Sequence, residues 1–323
     1  MKSQSTEELN KSVGKILSDI ALPISIIADI VSIAVVILST DRLIRVVTIA
    51  TIIICGTLIL ILILRKVLSV NKAKQEFERS YFDDSMFLAK RMHNYYHNLR
   101  NYIVSADTAN TKEIVKMNSI QICNYIGDFY RSLFYDYLSK GKYDVSVCIK
   151  LIETDDVFEE DYNKWRLETF SRSTSTEQAR GRIDRMKINV ADNTDFLVIL
   201  SDEYENTEFA FPDMRRIKDE FLLNYEKPYL NSRKNFWKYY RSTIVAPIKI
   251  SGNNASEKLK EMNPSISSKD IVLGFLCIDS MKYFSSESEL RAFELGVEFA
   301  KGFADSLYVY FERVLISRIN SRS

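Results

Sequence analysis

The sequence predicts an α+β protein that begins with a transmembrane helical hairpin, continues as a helical stalk and ends in an antiparallel sheet flanked by helices. Three observations predict this fold class. Two long apolar runs lie near the start, a stretch without glycine or proline follows them, and alternation with a period of two begins after Gly141. We therefore divide the chain into an N-terminal segment (1–16), the hairpin (17–65), the stalk (66–140) and a C-terminal domain (141–323).

The two apolar runs, residues 20–38 and 46–64, each approach the roughly 20 residues that a helix needs to cross about 30 Å of hydrocarbon. A short loop separates them, which predicts a hairpin. Lysine and arginine are concentrated outside this loop, and such cationic flanks mark the cytoplasmic side. The flanks hold Lys2, Lys11, Lys15, Arg65, Lys66, Lys72, Lys74 and Arg79, whereas the loop holds Arg42 and Arg45. We expect a multi-pass protein of the cell inner membrane with both termini cytoplasmic.

Asp29 lies at the midpoint of the first apolar run, with Ser32 on the same side of the helix and Ser25 one turn earlier. A carboxylate at the bilayer centre costs roughly 2.5–3.5 kcal/mol on insertion scales, and such residues are candidates for function. Asp29, Ser25 and Ser32 are therefore candidate pore-lining residues. Alternatively, a protonated Asp29 bonds across the hairpin to Thr51 or Thr57. Because two helices cannot enclose a channel, a pore requires a homo-oligomer, which we expect to hold about four subunits.

Composition and motifs exclude several function classes. The formal net charge of +1 argues against a global basic field, although local patches remain open. No two of the four cysteines form a CxxC pair, so neither disulfides nor a structural zinc site is expected. The spacing of His93 and His97 can bind a metal, but no further ligand lies in the flanking turns. The sequence has no P-loop, G-x-S-x-G or HExxH motif, so we expect no metal, no cofactor and no enzymatic activity.

Helices and strands follow from the spacing of apolar residues. Residues 66–105 have a helical pattern, and a second helix after the polar break at 106–111 is expected to reach about residue 139. Alternation predicts strands near 145–151, 165–169 and 244–250, and residues 271–278, apolar on both faces, predict a central strand. Pro247 belongs at an edge or a bulge. Ser286 and Glu289 form a capping box that starts a final helix to about residue 319.

Residues 242–250 (STIVAPIKI), residues 271–280 (IVLGFLCIDS), Phe284 and the closing helix resemble the GAF family of small-molecule sensor domains. The resemblance covers residues 143–319 and lies in strand order and apolar pattern. It implies a cytosolic antiparallel sheet flanked by helices, with a ligand pocket on the face covered by the segment between the second and third predicted strands. The signature of cyclic-nucleotide-binding GAF domains is not matched, because Asn193 is followed by Thr194 and no Phe and Asp-Glu fall in place downstream.

The covering segment is rich in cations and aromatic rings, above all at residues 233–241 (RKNFWKYYR). Cations hold phosphates while aromatic rings stack on bases. The candidate ligand-binding residues are therefore Arg215, Arg216, Arg233, Lys234, Trp237, Lys238, Tyr240 and Arg241. The alternative is a packed helix, in which Phe236, Tyr239 and Tyr240 form a buried stripe and the charges face water.

Two functions remain open. In the first, the chain is a membrane effector whose ligand domain gates an oligomeric ion-conducting pore. This architecture is similar to bacterial antiphage membrane effectors and, with the basic and aromatic run, resembles the Hailong type. The resemblance implies a nucleotide or short single-stranded DNA ligand and a companion nucleotidyltransferase. In the second, the chain is a membrane-tethered GAF-type sensor or scaffold that signals through a partner protein. The hairpin is the only recognisable output element, which favours the first.

Overall fold

A computed structural model describes residues 42–108, 112–135, 145–153, 159, 161–174, 187–201, 207–233, 235–262 and 270–320, together with Ile27, Ile30, Val31 and Ala34. The chain forms two compact units, Met1–Asp83 and Asp84–Ser323. The first helix, α1 (Arg42–Thr108), supplies residues to both units. The residues assigned to the stalk, 66–140, are likewise divided between the units.

In the first unit, α1 contains the stretch Ile49–Lys72, which is long and apolar enough to cross a membrane and is not buried against protein. It is the single such stretch in the described part of the chain, and it overlaps the second expected span. The first expected span lies outside the described residues apart from four helical positions. Asp29, Ser25, Ser32 and the N-terminal segment 1–16 lie outside them as well, so the hairpin stays a prediction.

Within its described residues, the second unit is built on a six-stranded antiparallel sheet in the order β3-β2-β1-β6-β5-β4. Its strands are β1 (Val145–Ile152), β2 (Arg166–Arg172), β3 (Ile188–Asn189), β4 (Phe209–Phe211), β5 (Ser242–Ser251) and β6 (Asp270–Ser280). The sequence predicts four of them and misses the edge strands β3 and β4, which are too short to alternate visibly. β6 lies between β1 and β5, as its apolar residues on both faces indicate.

The helices of this unit lie on both faces of the sheet. Besides the end of α1 they are α2 (Lys112–Phe134), α3 (Thr194–Leu200), α4 (Ile217–Tyr225), α5 (Glu257–Met262) and α6 (Glu287–Asn320). On the first face, α2 and α6 pack against the sheet and bury Ile126, Phe129 and Phe303 with Tyr95 of α1. On the second face, α3 and α4 enclose a smaller core that includes Phe196 and Phe275.

Two local expectations agree with the structure. The backbone N–H of Ser286 donates to Glu289 (3.1 Å), and the backbone N–H of Glu289 donates to the Ser286 hydroxyl (3.4 Å), which is a capping box at the start of α6. The backbone N–H groups of Ser286 and Ser285 both donate to the Glu289 carboxylate, which lowers the pKa of Glu289 to about 2. Pro247 lies in β5 beyond the residues paired with β4 and next to the register shift at Ile248/Lys249, so its missing N–H breaks no bond to β4.

Gly274 of β6 permits a close approach between the two central strands, since an added Cβ would lie 2.1 Å from the carbonyl oxygen of Lys150. We expect Gly274→Ala to lower the free energy of unfolding of the second unit by about 1–3 kcal/mol, because the strands must shift to relieve the clash. Denaturant unfolding followed by tryptophan fluorescence measures this. Both tryptophans of the chain, Trp165 and Trp237, lie in this unit.

Gly302 of α6 is the matched control, because a Cβ at this position has open space around it. Gly302→Ala is expected to raise the free energy of unfolding by up to about 1 kcal/mol, since alanine favours a helix over glycine. Equal effects of the two substitutions would contradict the argument from close approach.

Candidate functional site

The second face of the sheet carries charged and polar side chains close to its apolar core. Lys150 of β1, Arg172 of β2 and Asp279 of β6 expose only 8%, 4% and 9% of their surface. Successive side chains of a strand point to opposite faces. In β1, the apolar residues alternating with Ser146, Cys148 and Lys150 pack into the core of the first face, so these three point to the second face. Buried charges are costly unless they are paired or hydrogen-bonded, and their presence here marks a candidate site.

A cavity of about 50 Å³ lies between these side chains and the elements that cover them. This volume holds a few water molecules. Its charged lining residues are Lys150, Arg172, Asp195, Arg233 and Asp279, from four elements and one loop that are distant in sequence. Three cations and two acids therefore meet in one small space, which suits a ligand with several polar groups.

Each buried charge of the sheet has a hydrogen-bond partner. The Lys150 ammonium donates to the Thr169 hydroxyl (3.1 Å), and the Arg172 guanidinium donates to the Ser146 hydroxyl (2.8 Å). Asp279 accepts a bond from the Thr243 hydroxyl (2.9 Å). These hydroxyl groups orient the charged side chains that line the cavity.

The cover of the cavity consists of α3 and residues 229–241, which we call the roof segment. The segment is tied to the start of α3, because the Asn193 side chain accepts from the backbone N–H of Ser232 (3.1 Å) and the Thr194 hydroxyl accepts from that of Leu230 (2.7 Å). The roof segment is therefore positioned by the helix N-terminus on which it rests.

A chain of hydrogen bonds runs through the roof segment to Asp195 of α3. The Tyr229 hydroxyl donates to the Asp195 carboxylate (2.6 Å), and the Asn231 amide contacts the hydroxyls of Tyr229 (3.1 Å) and Tyr240 (3.0 Å). Burial raises the pKa of Asp195 to about 6, against the lowering effect of the Tyr229 bond. Burial also raises the pKa values of both tyrosines, so both remain neutral hydrogen-bond donors.

The structure divides the candidate ligand-binding residues of the roof segment between two sides. Arg233 and Tyr240 line the cavity, and Tyr240 is buried. Trp237 exposes 39% of its surface, and the Lys218 ammonium lies 5.3 Å from the centre of its ring. Lys238 is also exposed, and Lys234 lies outside the described residues.

Two of the three remaining candidate cations lie beside the ring of Tyr283, and the third is paired with an acid on α4. Arg215 and Arg241 flank Tyr283, with the guanidinium carbons 3.9 and 5.8 Å from the ring centre. Arg215 also forms a bidentate pair with Asp213 (2.8 and 2.5 Å), whose pKa this pairing lowers. Arg216 is paired with Glu220 (2.8 Å) on α4.

The described part of residues 233–241 contains a short 3₁₀ turn, Phe236–Lys238, and no α-helix. The expected buried stripe is therefore only partly present. Phe236 and Tyr240 are buried, as that alternative requires, but Tyr239 exposes 41% of its surface and lies 5.5 Å from the Arg233 guanidinium. Two rings of the run are therefore packed in the core, and the rings of Trp237 and Tyr239 are accessible to a ligand.

Sequence reasoning misses most of the cavity. Lys150 carries a signal that could reveal it, which is a long cation at an inward position of a mostly apolar strand. Arg172 carries no such signal, because most residues of β2 are polar. Asp195 and Asp279 carry no comparable signal, because an acid in the first turn of a helix or at a strand end is usually solvated. Among the described residues, no three potential metal-ligating side chains cluster, and the rings of His93 and His97 stack at 6.3 Å on an exposed surface.

The antiparallel sheet, the helices on its two faces and the covered cavity of the second unit agree with the architecture that the resemblance to GAF domains implies. The covered face is the one that the sequence resemblance indicates, with the segment between β2 and β5 above it. No family model matches the sequence, and no curated protein matches it.

Solved GAF domains are similar to this chain in fold. The GAF domain of a phosphoenolpyruvate-protein phosphotransferase from Acinetobacter is 10% identical, with a TM-score of 0.31, and the alignment covers 71% of this chain and 95% of that one. A putative GAF sensor protein from Burkholderia vietnamiensis is 9% identical, with a TM-score of 0.32 and coverages of 69% and 98%. A third GAF domain is 15% identical, with a TM-score of 0.34 and coverages of 67% and 88%. At this level of similarity the matches assign no ligand or partner to this chain.

Proposed function

We propose that this chain is a membrane-attached sensor that receives a signal and catalyses no reaction. Its GAF-like domain binds a nucleotide or short single-stranded DNA through the roof segment. In the fuller form of the proposal, the ligand gates an ion-conducting pore formed by the hairpins of about four subunits in the cell inner membrane. Asp29, Ser25 and Ser32 line this pore, and a companion nucleotidyltransferase supplies the ligand in bacterial antiphage defence.

The observation that carries the proposal is the two-sided character of the roof segment. Its inner side places Asn231, Arg233 and Tyr240 on the charged cavity, and its outer side presents Trp237 and Tyr239 to solvent. A ligand that contacts the outer rings can therefore alter the hydrogen bonds that tie the segment to Asp195 and α3. Such a link between a surface contact and a buried network is what a sensor requires.

The cations near the exposed rings favour an anionic ligand. Within the described residues, Lys218, Arg233, Lys238 and Arg241 have no carboxylate partner, so they can bind phosphate without breaking an ion pair. Arg215 and Arg216 differ, because Asp213 and Glu220 already pair with them. The first four are therefore the stronger candidates for phosphate contacts.

Trp237→Ala is expected to weaken nucleotide binding by about 5- to 150-fold, which corresponds to the roughly 1–3 kcal/mol that stacking contributes per base. The measurement is isothermal titration of the full chain in mild detergent with mononucleotides, cyclic dinucleotides and short single-stranded DNA, at low and moderate salt. Binding should also weaken with salt, and Arg233→Gln should make this salt dependence shallower because one phosphate contact is lost.

Leu223→Ala is the matched control, since Leu223 of α4 exposes 81% of its surface and is not part of the roof segment. The Leu223→Ala variant should bind the nucleotide ligand as tightly as the unsubstituted chain does. If none of the three ligand classes binds at low salt, or if Trp237→Ala binds as tightly as the control, the nucleotide proposal fails. A sensor or scaffold that acts through a partner protein is then the better description.

The pore requires a separate measurement, because ligand binding alone does not distinguish an effector from a scaffold. Native mass spectrometry of the detergent-solubilised chain should give a homo-oligomer, and reconstituted vesicles should show an ion flux that changes when the ligand is added. A monomer without flux would remove the pore from the proposal and leave the sensor.

A further inference from the structure

Two cysteines face each other across the central strands of the sheet. Cys148 of β1 and Cys277 of β6 are directly opposed in the antiparallel register, and both line the cavity. Directly opposed residues in such a pair have Cα atoms about 4.5 or 5.5 Å apart, depending on the pairing type, and a disulfide requires roughly 4.4–6.8 Å. The Cα separation of either pairing type therefore lies within the range that a disulfide requires.

The two sulfur atoms have different chemical roles. Cys148 is directly opposed to Arg172 on β2 as well as to Cys277 on β6. The neighbouring Cys277 thiol lowers the pKa of Cys148, with help from Arg172 and Lys150 and against burial and Asp279. The neighbouring Cys148 sulfur, together with burial, raises the pKa of Cys277. Thiolates are the nucleophilic form of cysteine. Cys148 is thus suited to attack, and Cys277 is suited to follow as the second thiol.

We infer that Cys148 and Cys277 form an oxidation site, at which a small hydroperoxide converts the two thiols into a cross-strand disulfide. The site is independent of the proposed nucleotide ligand, because it needs only the register of β1 and β6 and access to the cavity. A cavity that holds a few water molecules admits an oxidant of the size of hydrogen peroxide.

The reaction proceeds in two balanced steps. The Cys148 thiolate attacks a peroxide oxygen, the O–O bond breaks, and the departing oxygen takes a proton to leave as water or an alcohol. Cys148 is now a sulfenic acid. The Cys277 sulfur then attacks the Cys148 sulfur, the S–O bond breaks, and hydroxide leaves as water with the Cys277 proton. Two thiols and one hydroperoxide give one disulfide, one alcohol or water, and one further water; a thiol reductant reverses the change.

Cys123 provides an internal comparison. It is buried on the other face of the sheet, its sulfur contacts the Ser171 hydroxyl (3.4 Å), and burial raises its pKa to about 12. We expect it to remain reduced under conditions that oxidise the pair. Cys55 of α1 belongs to the first unit and is the fourth thiol of the chain.

Peptide mapping of the full chain tests the inference directly. The purified protein in detergent is treated with hydrogen peroxide, denatured in an alkylating reagent and digested with trypsin, which separates the two cysteines into peptides 143–150 and 270–282. The expected product is one cross-linked pair of these peptides that disappears on reduction, while Cys123 is alkylated completely. Complete alkylation of both Cys148 and Cys277 after peroxide, or their linkage to Cys55 or Cys123 instead, would overturn the proposal.

Variants then assign the order of attack. In Cys277→Ser the first step remains possible, so a sulfenic acid trapped by dimedone should accumulate on Cys148. In Cys148→Ser, Cys277 should alkylate as in the untreated protein. Cys123→Ser should form the disulfide as the unsubstituted chain does. Because the mapping of the unsubstituted chain decides the inference by itself, a variant that fails to fold does not leave it undecided.

Discussion

Phe303→Ala is expected to lower the free energy of unfolding of the second unit by about 3–5 kcal/mol, the range for a large aromatic residue removed from a packed core. Phe303 of α6 is fully buried, and its ring packs edge-to-face on Tyr95 of α1 (4.6 Å) and Phe129 of α2 (5.2 Å). The substitution therefore leaves a cavity where three helices meet on the first face of the sheet. Denaturant unfolding followed by tryptophan fluorescence measures the loss.

Val309→Ala is the control on the same helix, because Val309 exposes 44% of its surface. It should change the free energy of unfolding by no more than about 0.5 kcal/mol. Phe303→Leu retains most of the apolar volume and should cost less than Phe303→Ala. A loss below about 1 kcal/mol for Phe303→Ala would mean that the three helices do not share this core.

Asp195→Asn is expected to gain stability relative to the unsubstituted chain as the pH rises. The pKa of Asp195 is about 6 in the folded domain, because burial disfavours the charged carboxylate, and its ordinary value is 3.8. Between these values the folded state keeps a proton that the unfolded state has released. The stability that this proton provides is complete below pH 4 and is lost as the pH rises through about 6.

The asparagine has no proton to lose, and its side-chain oxygen can still accept the Tyr229 bond. The difference in free energy of unfolding between the variant and the unsubstituted chain should therefore change by up to about 3 kcal/mol between pH 4 and pH 7, since two pKa units correspond to about 1.4 kcal/mol each. Denaturant unfolding at a series of pH values gives this difference. Asp192→Asn, at an exposed position three residues earlier, is the control, and parallel curves for the two variants would contradict the buried position of Asp195.

Local sequence patterns were sufficient to predict much of the secondary structure of the second unit. Alternation locates β1, β2 and β5 because each strand is long enough to show its two faces, and a continuous apolar run locates β6. The capping box at Ser286 locates the start of α6 because it is a contact within one turn. The apolar length of residues 46–64 likewise indicates a candidate span without reference to any other part of the chain. Each of these signals lies within a few residues of the feature that it predicts.

The candidate site is different, because its parts are distant in sequence. Lys150, Arg172, Asp195 and Asp279 meet through the pairing of β1 with β2 and β6 and the packing of α3 above them. A shift of one residue in any register would move a charge to the opposite face. The register is set by the whole sheet, so no single stretch of sequence contains this information.

The sequence by itself determined the apolar run, the main helices and strands, and the presence of a basic and aromatic segment, and the resemblance to GAF domains implied that this segment covers one face of the sheet. Only the tertiary structure decided which of its residues turn inward. Arg233 and Tyr240 line the cavity, while Trp237 and Tyr239 face solvent, because a short 3₁₀ turn interrupts the helical period from which a buried stripe would follow. Tertiary pairing also placed Cys148 opposite Cys277, since the distance between two strands is fixed by the hydrogen bonds of the sheet and not by their separation along the chain.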